Sequence, residues 1–185
     1  MVSSLFVLGG ARSGKSRFAV ASQPADARVT FLATARAGDG DMAARIARHR
    51  AERPGHWTTI EEPFDLVERL SPLSGDAAVV DCLTVWVANR MLRGDASDAI
   101  LAGADALAAL IRRPPVALTI VSNEVGAGVH PETVEGLRFR DLLGAVNQRV
   151  AAAAERVVLM VAGIPLAVKT PTPAHECAIP TEQTP

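Results

Sequence analysis

The sequence has few aromatic residues and almost no net charge. Phenylalanine and tryptophan together account for 4% of the residues, tyrosine is absent, and the formal net charge at pH 7 is −1. A nucleic-acid-binding protein needs a basic surface and, for single strands, aromatic platforms on which bases stack. The composition therefore disfavours a standalone nucleic-acid ATPase and predicts that anions bind at a local site.

Cysteines and long apolar runs are also scarce. The two cysteines, Cys82 and Cys177, lie far apart in the chain, which disfavours a disulfide framework and favours a reducing cytoplasm. No segment approaches the roughly 18 uninterrupted apolar residues that a transmembrane helix needs. The N-terminal segment also lacks the basic region of a signal peptide. We therefore expect a cytoplasmic protein without a membrane span.

Short apolar segments alternate with helical ones along the 185 residues. Predicted strands cover residues 4–8, 29–34, 77–83, 116–123 and 156–163, and further extended segments cover residues 56–63 and 165–169. Predicted helices cover residues 15–22, 41–53, 64–70, 83–92, 99–112 and 134–155. This order predicts an α/β fold whose mostly parallel sheet has helices on both faces. We assign one domain to residues 1–169 and interpret the Pro- and Thr-rich residues 170–185 as a flexible tail.

The segment GGARSGKS, residues 9–16, directly follows the first predicted strand and opens a predicted helix. In a G-x-x-x-x-G-K-S loop, backbone N–H groups converge on phosphate oxygens. The lysine reaches the β- and γ-phosphates, and the serine hydroxyl ligates Mg²⁺. The motif predicts that Lys15 and Ser16 serve a nucleoside triphosphate. It leaves the reaction open, because kinases, motors and switches share the motif.

Thr34, Asp81 and Asn123 lie at or near the ends of predicted strands. Parallel strands present their carboxyl ends at one edge of the sheet, where ligands of such folds bind. Magnesium in these sites usually takes a second ligand from an acidic residue on a neighbouring strand. Asp81 is the candidate, although an aspartate at this point also suits the N-cap of the following helix.

His49 belongs to the segment RIARHRAERPGHW, residues 45–57. On the predicted helix it shares a face with Ile46, and Arg45 and Arg53 flank it at four-residue spacing. A neutral imidazole can attack an electrophilic phosphorus while arginines bear the phosphate charge. A histidine among arginines also suits an ordinary solvated helix face. The residues alone leave both interpretations open.

Several blocks together resemble the bifunctional adenosylcobinamide kinase / adenosylcobinamide-phosphate guanylyltransferase family. They run in family order over residues 5–169 as GGARSGKS, TFLATA, DMAARIARHRAERPGHWTTIEEP, VVDCLTVWVANRML, VSNEVGAGVHPE and RFRDLLGAVNQRVAAAAERVVLMVAGIPLAVK. The R-I-x-x-H-R-x-x-R-P-x-x-W block and the N-E-V-G-x-G loop are far more specific than the glycine loop. In this chain aspartate stands at position 81, where some relatives have glutamate. Arg48 replaces a second histidine that some relatives have.

The resemblance implies a RecA-like P-loop fold and two reactions. One phosphorylates adenosylcobinamide with ATP or GTP, and the other transfers GMP from GTP to the resulting phosphate through a covalent GMP–histidine at His49. The resemblance also implies a homotrimer, and the motif and strand ends already predict Mg²⁺ held by Ser16 and Asp81. The nucleotide contacts that it implies are Gly9, Gly10, Ala11, Arg12, Ser13, Gly14, Lys15, Ser16, Thr34, Ala35, Arg36, Arg50, Ala51, Glu52, Arg53, Glu61 and Asp81.

Two other functions remain open at this stage. A simple small-molecule kinase would use the glycine loop and Asp81 but would leave His49 as a surface residue. A regulatory nucleotide switch or a motor subunit would need a partner surface, and the sequence has no N-K-x-D guanine-specificity motif.

Overall fold

A seven-stranded sheet forms the centre of the computed structural model, which describes residues 3–36, 53–128 and 130–171. The strands are β1 (Ser4–Gly9), β2 (Val29–Ala33), β3 (Thr58–Glu61), β4 (Ala77–Asp81), β5 (Ala117–Val121), β6 (Arg156–Val161) and β7 (Ile164–Lys169). Their order across the sheet is β3-β2-β4-β5-β1-β6-β7, and only β7 runs antiparallel to its neighbour. The predicted α/β fold with a mostly parallel sheet is confirmed.

Helices cover both faces of this sheet. They are α1 (Lys15–Ala21), α2 (Leu66–Leu70), α3 (Leu83–Arg93), α4 (Ser97–Arg112) and α5 (Val134–Ala153). The larger apolar core lies under α2 to α5 and includes Phe6, Trp86 and Leu143, while α1 covers a smaller core that includes Phe31 and Val79. Strands covered on both sides need apolar side chains on both sides, which explains the continuous apolar run AAVV and the largely apolar ALTIV.

Strands β6 and β7 form a β-hairpin, which the sequence did not predict. Ala162 and Gly163 have φ angles of 50° and 85°, as a two-residue hairpin turn requires. Such a short turn allows only antiparallel pairing, so residues 164–169 form the antiparallel edge strand β7. The Lys169 ammonium at its end donates to the carbonyls of Ala151, Ala152 and Ala154 at the end of α5, at 3.1, 2.9 and 2.6 Å.

Most element boundaries agree with the predictions within a few residues. The strand predicted at 77–83 ends at Asp81, because α3 already begins at Leu83, and the helix predicted from residue 99 begins at Ser97. Of the helix predicted at 41–53, only its last residue lies within the described residues. Of the tail at 170–185, only the first two residues do. No helix among the described residues is long and apolar enough to cross a membrane.

Candidate active site

The glycine loop between β1 and α1 has the backbone that its motif requires. Gly14 immediately precedes α1 with φ 93°, a left-handed conformation that favours glycine. At Gly9 an added Cβ would lie 2.6 Å from the carbonyl oxygen of Met160 on β6. The Gly163 N–H also donates to the Ser13 carbonyl at 3.0 Å. The loop is therefore held tightly against the β6–β7 hairpin, and a side chain at Gly9 would displace it.

Lys15 points back into this loop. Its side chain is buried at 8% exposure, and its ammonium donates to the Gly10 carbonyl at 2.6 Å. Burial lowers the pKa of Lys15, while the nearby Cys82 and Asp81 act in the opposite direction. The positive charge of Lys15 therefore interacts electrostatically with the Asp81 carboxylate across the sheet edge. A phosphate placed in the loop would meet a cation that is already desolvated and directed inward.

Thr34 locks the end of β2 to the end of β4. Its N–H donates to the Asp81 carbonyl at 3.1 Å, and its hydroxyl accepts from the Cys82 N–H and donates to the Cys82 carbonyl, both at 2.8 Å. Asn89 on α3 donates its side-chain N–H to the Thr34 carbonyl at 2.8 Å. Thr34 is predicted as a nucleotide contact, and its hydroxyl is thus committed to the backbone that follows Asp81.

The Cys82 thiol lies beside the same junction. Burial, together with the charge of Asp81, raises the pKa of Cys82 to about 11. The thiol is therefore protonated near neutral pH, and the thiolate needed for a nucleophile is absent there. Cys82 therefore suits packing rather than nucleophilic chemistry.

The sheet register aligns the candidate residues along one edge. Ala33 pairs with both Glu61 and Asp81, and Val121 pairs with both Asp81 and Val7. The glycine loop after β1, the segment after β2 and the ends of β3 and β4 therefore share this edge. Among the described residues, no group of three or more His, Cys, Asp or Glu side chains could hold a metal ion. Any magnesium here would need phosphate oxygens and water beside the Ser16 hydroxyl and the Asp81 carboxylate, which suits its preference for oxygen ligands.

Ala35 and Arg36 follow Thr34 at the edge. Ala35 is half-buried and Arg36 is exposed, with its guanidinium 5.7 Å from the centre of the Phe64 ring. Arg93 at the end of α3 approaches the same ring at 4.4 Å. The sequence did not single out Phe64 or Arg93, because this cluster joins segments that are distant in the chain. The cluster brings two cations and a π face to the edge near Thr34.

Glu61 and Glu62 are adjacent but have different environments. Glu61, the predicted nucleotide contact, is exposed at the end of β3. The Glu62 carboxylate is buried and accepts hydrogen bonds from Phe64 N at 3.0 Å, Asp65 N at 2.9 Å and Arg69 Nε at 3.0 Å. Burial alone would raise the pKa of Glu62, but these hydrogen bonds outweigh it and lower the pKa. Glu62 therefore shapes the turn that presents Phe64.

Arg53 lies over the face of the sheet, short of its carboxyl edge. Its guanidinium is 3.4 Å from the centre of the Phe31 ring and donates to the Thr59 hydroxyl at 3.4 Å. Phe31 and Thr59 are paired neighbours two residues before the ends of β2 and β3. His49, Arg50, Ala51 and Glu52 lie outside the described residues.

Comparison with known proteins identifies the family. A family model described as "Cobinamide kinase / cobinamide phosphate guanyltransferase" matches residues 5–168. The chain belongs to this family. The matched range contains the glycine loop, the Thr34 segment, Asp81 and His49. The family resemblance seen in the sequence blocks is thus confirmed.

The named relatives match this chain over most of their length. The "Bifunctional adenosylcobalamin biosynthesis protein CobP" of Pseudomonas aeruginosa is 43% identical over an alignment of 167 residues, and the match covers 88% of this chain and 95% of the relative. The "Bifunctional adenosylcobalamin biosynthesis protein CobU" of Escherichia coli is 38% identical over an alignment of 179 residues, and the match covers 89% of this chain and 99% of the relative. The Salmonella typhimurium protein of the same name also shares 38% identity.

One solved structure supports the fold alone. It comes from a study titled "Structural and biochemical analysis of a prototypical ATPase from the type III secretion system of pathogenic bacteria". The TM-score is 0.52 at 13% identity, and the match covers 86% of this chain and 51% of the ATPase chain. This likeness agrees with the predicted P-loop architecture.

Proposed function

We propose that the protein catalyses both reactions of its family: phosphorylation of adenosylcobinamide by ATP or GTP, and transfer of GMP from GTP to adenosylcobinamide phosphate. The observation that carries this proposal is the shared edge of the sheet, which brings the P-loop with its buried Lys15 and the end of β4 with Asp81 to the same side of the molecule. The family match over residues 5–168 supplies the substrate class. A kinase without guanylyl transfer is less favoured, because the relatives are named bifunctional.

In the kinase reaction, the corrinoid hydroxyl oxygen forms a bond to the γ-phosphorus, and the bond from that phosphorus to the β–γ bridging oxygen breaks. The hydroxyl proton passes to solvent. The loop N–H groups and Lys15 hold the phosphates in place and offset their charge, which accounts for most of the catalysis in such transfers.

In the guanylyl reaction, the His49 imidazole attacks the α-phosphorus of GTP and pyrophosphate leaves. A phosphate oxygen of adenosylcobinamide phosphate then attacks the same phosphorus, the P–N bond breaks, and adenosylcobinamide-GDP forms. Histidine suits this role because its reference pKa of about 6.5 leaves most of it neutral at pH 7. Arg50 would bear charge on the transferring phosphate, and Arg53 would share this role only if its guanidinium left its place over Phe31.

Ser16 and Asp81 are the proposed Mg²⁺ ligands, since a hydroxyl and a carboxylate are the oxygen donors that this ion prefers. Bound Mg²⁺ would neutralise phosphate charge and favour departure of the leaving phosphate. The remaining contacts proposed from the resemblance are Gly9 to Gly14, Thr34 to Arg36, Ala51, Glu52 and Glu61. The Thr34 hydroxyl, N–H and carbonyl all have hydrogen-bond partners in the protein, so a nucleotide contact at Thr34 would have to share one of these groups.

The test uses purified protein, Mg²⁺ and GTP labelled at the α-phosphorus. Label should be retained on His49 in an acid-labile bond, and His49→Ala should retain none while still phosphorylating adenosylcobinamide. His56, which contacts the Ala27 carbonyl instead, provides the matched control as His56→Ala. Full labelling of the His49→Ala protein would contradict the nucleophile assignment. Phosphorylation without any label in the natural protein would leave only the simple kinase.

We also propose a cytoplasmic homotrimer. Large apolar side chains at the β6–β7 edge support association between copies, since Val161, Ile164, Leu166 and Val168 are 54–68% exposed. Light scattering should report three copies, and Leu166→Glu should reduce the measured mass. A monomeric natural protein would contradict the trimer.

A further inference from the structure

The pairing of β5 with β1 continues past the last residue of β5. The Ser122 N–H donates to the Val7 carbonyl at 3.0 Å, and the Glu124 N–H donates to the Gly9 carbonyl at 3.0 Å. Because Gly9 opens the glycine loop, the segment 122–124 lies directly beside that loop. Asn123 is the middle residue of this continued ladder.

Side chains from two helices hold the backbone of Asn123. Its N–H donates to the Thr84 hydroxyl at 2.8 Å, and its carbonyl accepts from the Asn147 side-chain N–H at 3.0 Å. In a parallel sheet, alternate residues direct their backbone groups to opposite neighbours. On the β4 side the partner strand has already turned into α3, so the Thr84 hydroxyl takes the place of a strand carbonyl. The peptide of Asn123 is thus fixed where the sheet itself no longer holds it.

Alternation along β5 assigns the Asn123 side chain to the face covered by α1. Thr119 faces α1, because its hydroxyl accepts from Gln23 at 3.0 Å, and Val121 packs in the same cluster as Ala19. Asn123 continues this series of every second residue. The helix that covers this face begins with Lys15.

The strand order places the end of β5 beside both the glycine loop and the end of β4. β5 lies between β1, which leads into the glycine loop, and β4, which ends in Asp81. Neighbouring strands are about 4.8 Å apart, so a side chain at the end of β5 lies between the loop and the carboxylate. A phosphate that reaches from the loop towards Asp81 would therefore lie near the end of β5, where Asn123 is.

We propose that Asn123 is a further catalytic residue of the kinase reaction, with its carboxamide N–H donating to an oxygen of the transferred γ-phosphate, and that Thr84 and Asn147 are its positioning residues. The inference rests on the proposed kinase activity. A neutral donor fixed before reaction stabilises the charge on the γ-oxygens as the bond to the β–γ bridging oxygen breaks. The guanylyl reaction takes place at the α-phosphorus, so it depends on this contact less.

The test compares the two reactions in the full-length Asn123→Ala protein. We expect the kinase kcat to fall about 100-fold, the size of effect that follows removal of one preorganised donor. Covalent GMP labelling should change less than about threefold, since the contact is absent at the α-phosphorus. Gln148→Ala removes an exposed carboxamide next to Asn147 and is the matched control, with both rates unchanged. Equal losses in both reactions, or a kinase kcat within about threefold of the natural value, would overturn the proposal.

A binding measurement separates this proposal from the proposed function. Titration with ATP and with ADP, in Mg²⁺ and without corrinoid, measures how much the γ-phosphate contributes to affinity. The preference for ATP should fall about tenfold in Asn123→Ala, as expected for one hydrogen bond to a charged group. An unchanged preference would overturn the role of Asn123. Absence of corrinoid phosphorylation by the natural protein would instead contradict the kinase function, while the ATP preference still decides on Asn123.

The positioning role has its own test. Thr84→Val removes the acceptor for the Asn123 N–H, whereas Thr84→Ser retains it. We expect Thr84→Val to lower the kinase kcat about tenfold with little change in KM, and Thr84→Ser to restore it. In the Asn123→Ala background, Thr84→Val should add no further loss. Independent losses in the double variant would show that Thr84 acts elsewhere.

Discussion

Replacing Glu62 should destabilise the protein far more than replacing its neighbour Glu61. Glu62 is 8% exposed and its carboxylate accepts from Phe64 N, Asp65 N and Arg69 Nε at 2.9–3.0 Å. Hydrogen bonds to a charged group contribute about 1.5 kcal/mol or more each when they are shielded from water. The Arg69 side chain is 59% exposed, so that ion pair adds about 0.5 kcal/mol at most.

The two backbone hydrogen bonds therefore dominate the effect of Glu62→Ala. Their N–H groups can partly rehydrate in the variant, which reduces the loss to about 2 kcal/mol. For a protein of this size, that corresponds to a fall in Tm of about 4–8 °C. Glu62→Gln retains an oxygen for both N–H groups but turns an amide towards Arg69, so it should cost about 1 kcal/mol or less.

Urea unfolding monitored by tryptophan fluorescence measures these free energies. Glu61→Ala is the matched control and should change the free energy of unfolding by less than about 0.5 kcal/mol, since its side chain is exposed. The expected order of destabilisation is Glu62→Ala, then Glu62→Gln, then Glu61→Ala. A Glu61→Ala variant as unstable as Glu62→Ala would refute the reasoning, because the buried hydrogen bonds would then contribute nothing measurable.

Three further predictions concern the loop and a charged cluster. Lys15→Met should lower the rates of both phosphorylation and GMP transfer by about 100-fold or more. If the variant transferred GMP as fast as the natural protein, the loop would serve only one reaction. Gly9→Ala places a methyl group 2.6 Å from the Met160 carbonyl, so calorimetric titration should detect no nucleotide binding, and natural affinity would show that the loop tolerates the displacement. Arg93 and Arg90 lower the pKa of Asp95, so Asp95 stabilises the fold above pH 4 and this contribution disappears as the pH falls below about 4. Asp95→Asn should therefore be less stable than the natural protein at pH 7 in urea unfolding, with the difference shrinking below pH 4; a pH-independent difference would contradict the role of charge.

Local sequence patterns predicted the elements of the fold because those patterns are set by near neighbours. The apolar runs around Phe6, Phe31 and Val79 form buried strands, and the glycine loop lies between a strand and a helix as its motif requires. The sequence did not predict that β7 runs antiparallel to β6, because apolar character alone does not indicate the direction of a strand.

The candidate site was only partly predictable. The G-x-x-x-x-G-K-S motif predicts Lys15 and the end of a buried strand predicts Asp81, and the register brings the glycine loop and Asp81 to one edge. By contrast, the local sequence does not indicate that the Glu62 carboxylate is buried and the Glu61 carboxylate exposed. Arg53 lies over Phe31 rather than at the edge, a contact that depends on how β3 packs beside β2.

By itself, the sequence determined a phosphate-binding loop, alternating strands and helices, and membership of a kinase and guanylyltransferase family. Loop backbone angles and strand burial depend on residues close in the chain, so they can be inferred from the chain. Only the tertiary structure decided that β5 lies between β1 and β4, and hence that Asn123 lies between the glycine loop and Asp81. Strand order depends on packing between segments that are distant in sequence, and no local pattern encodes it.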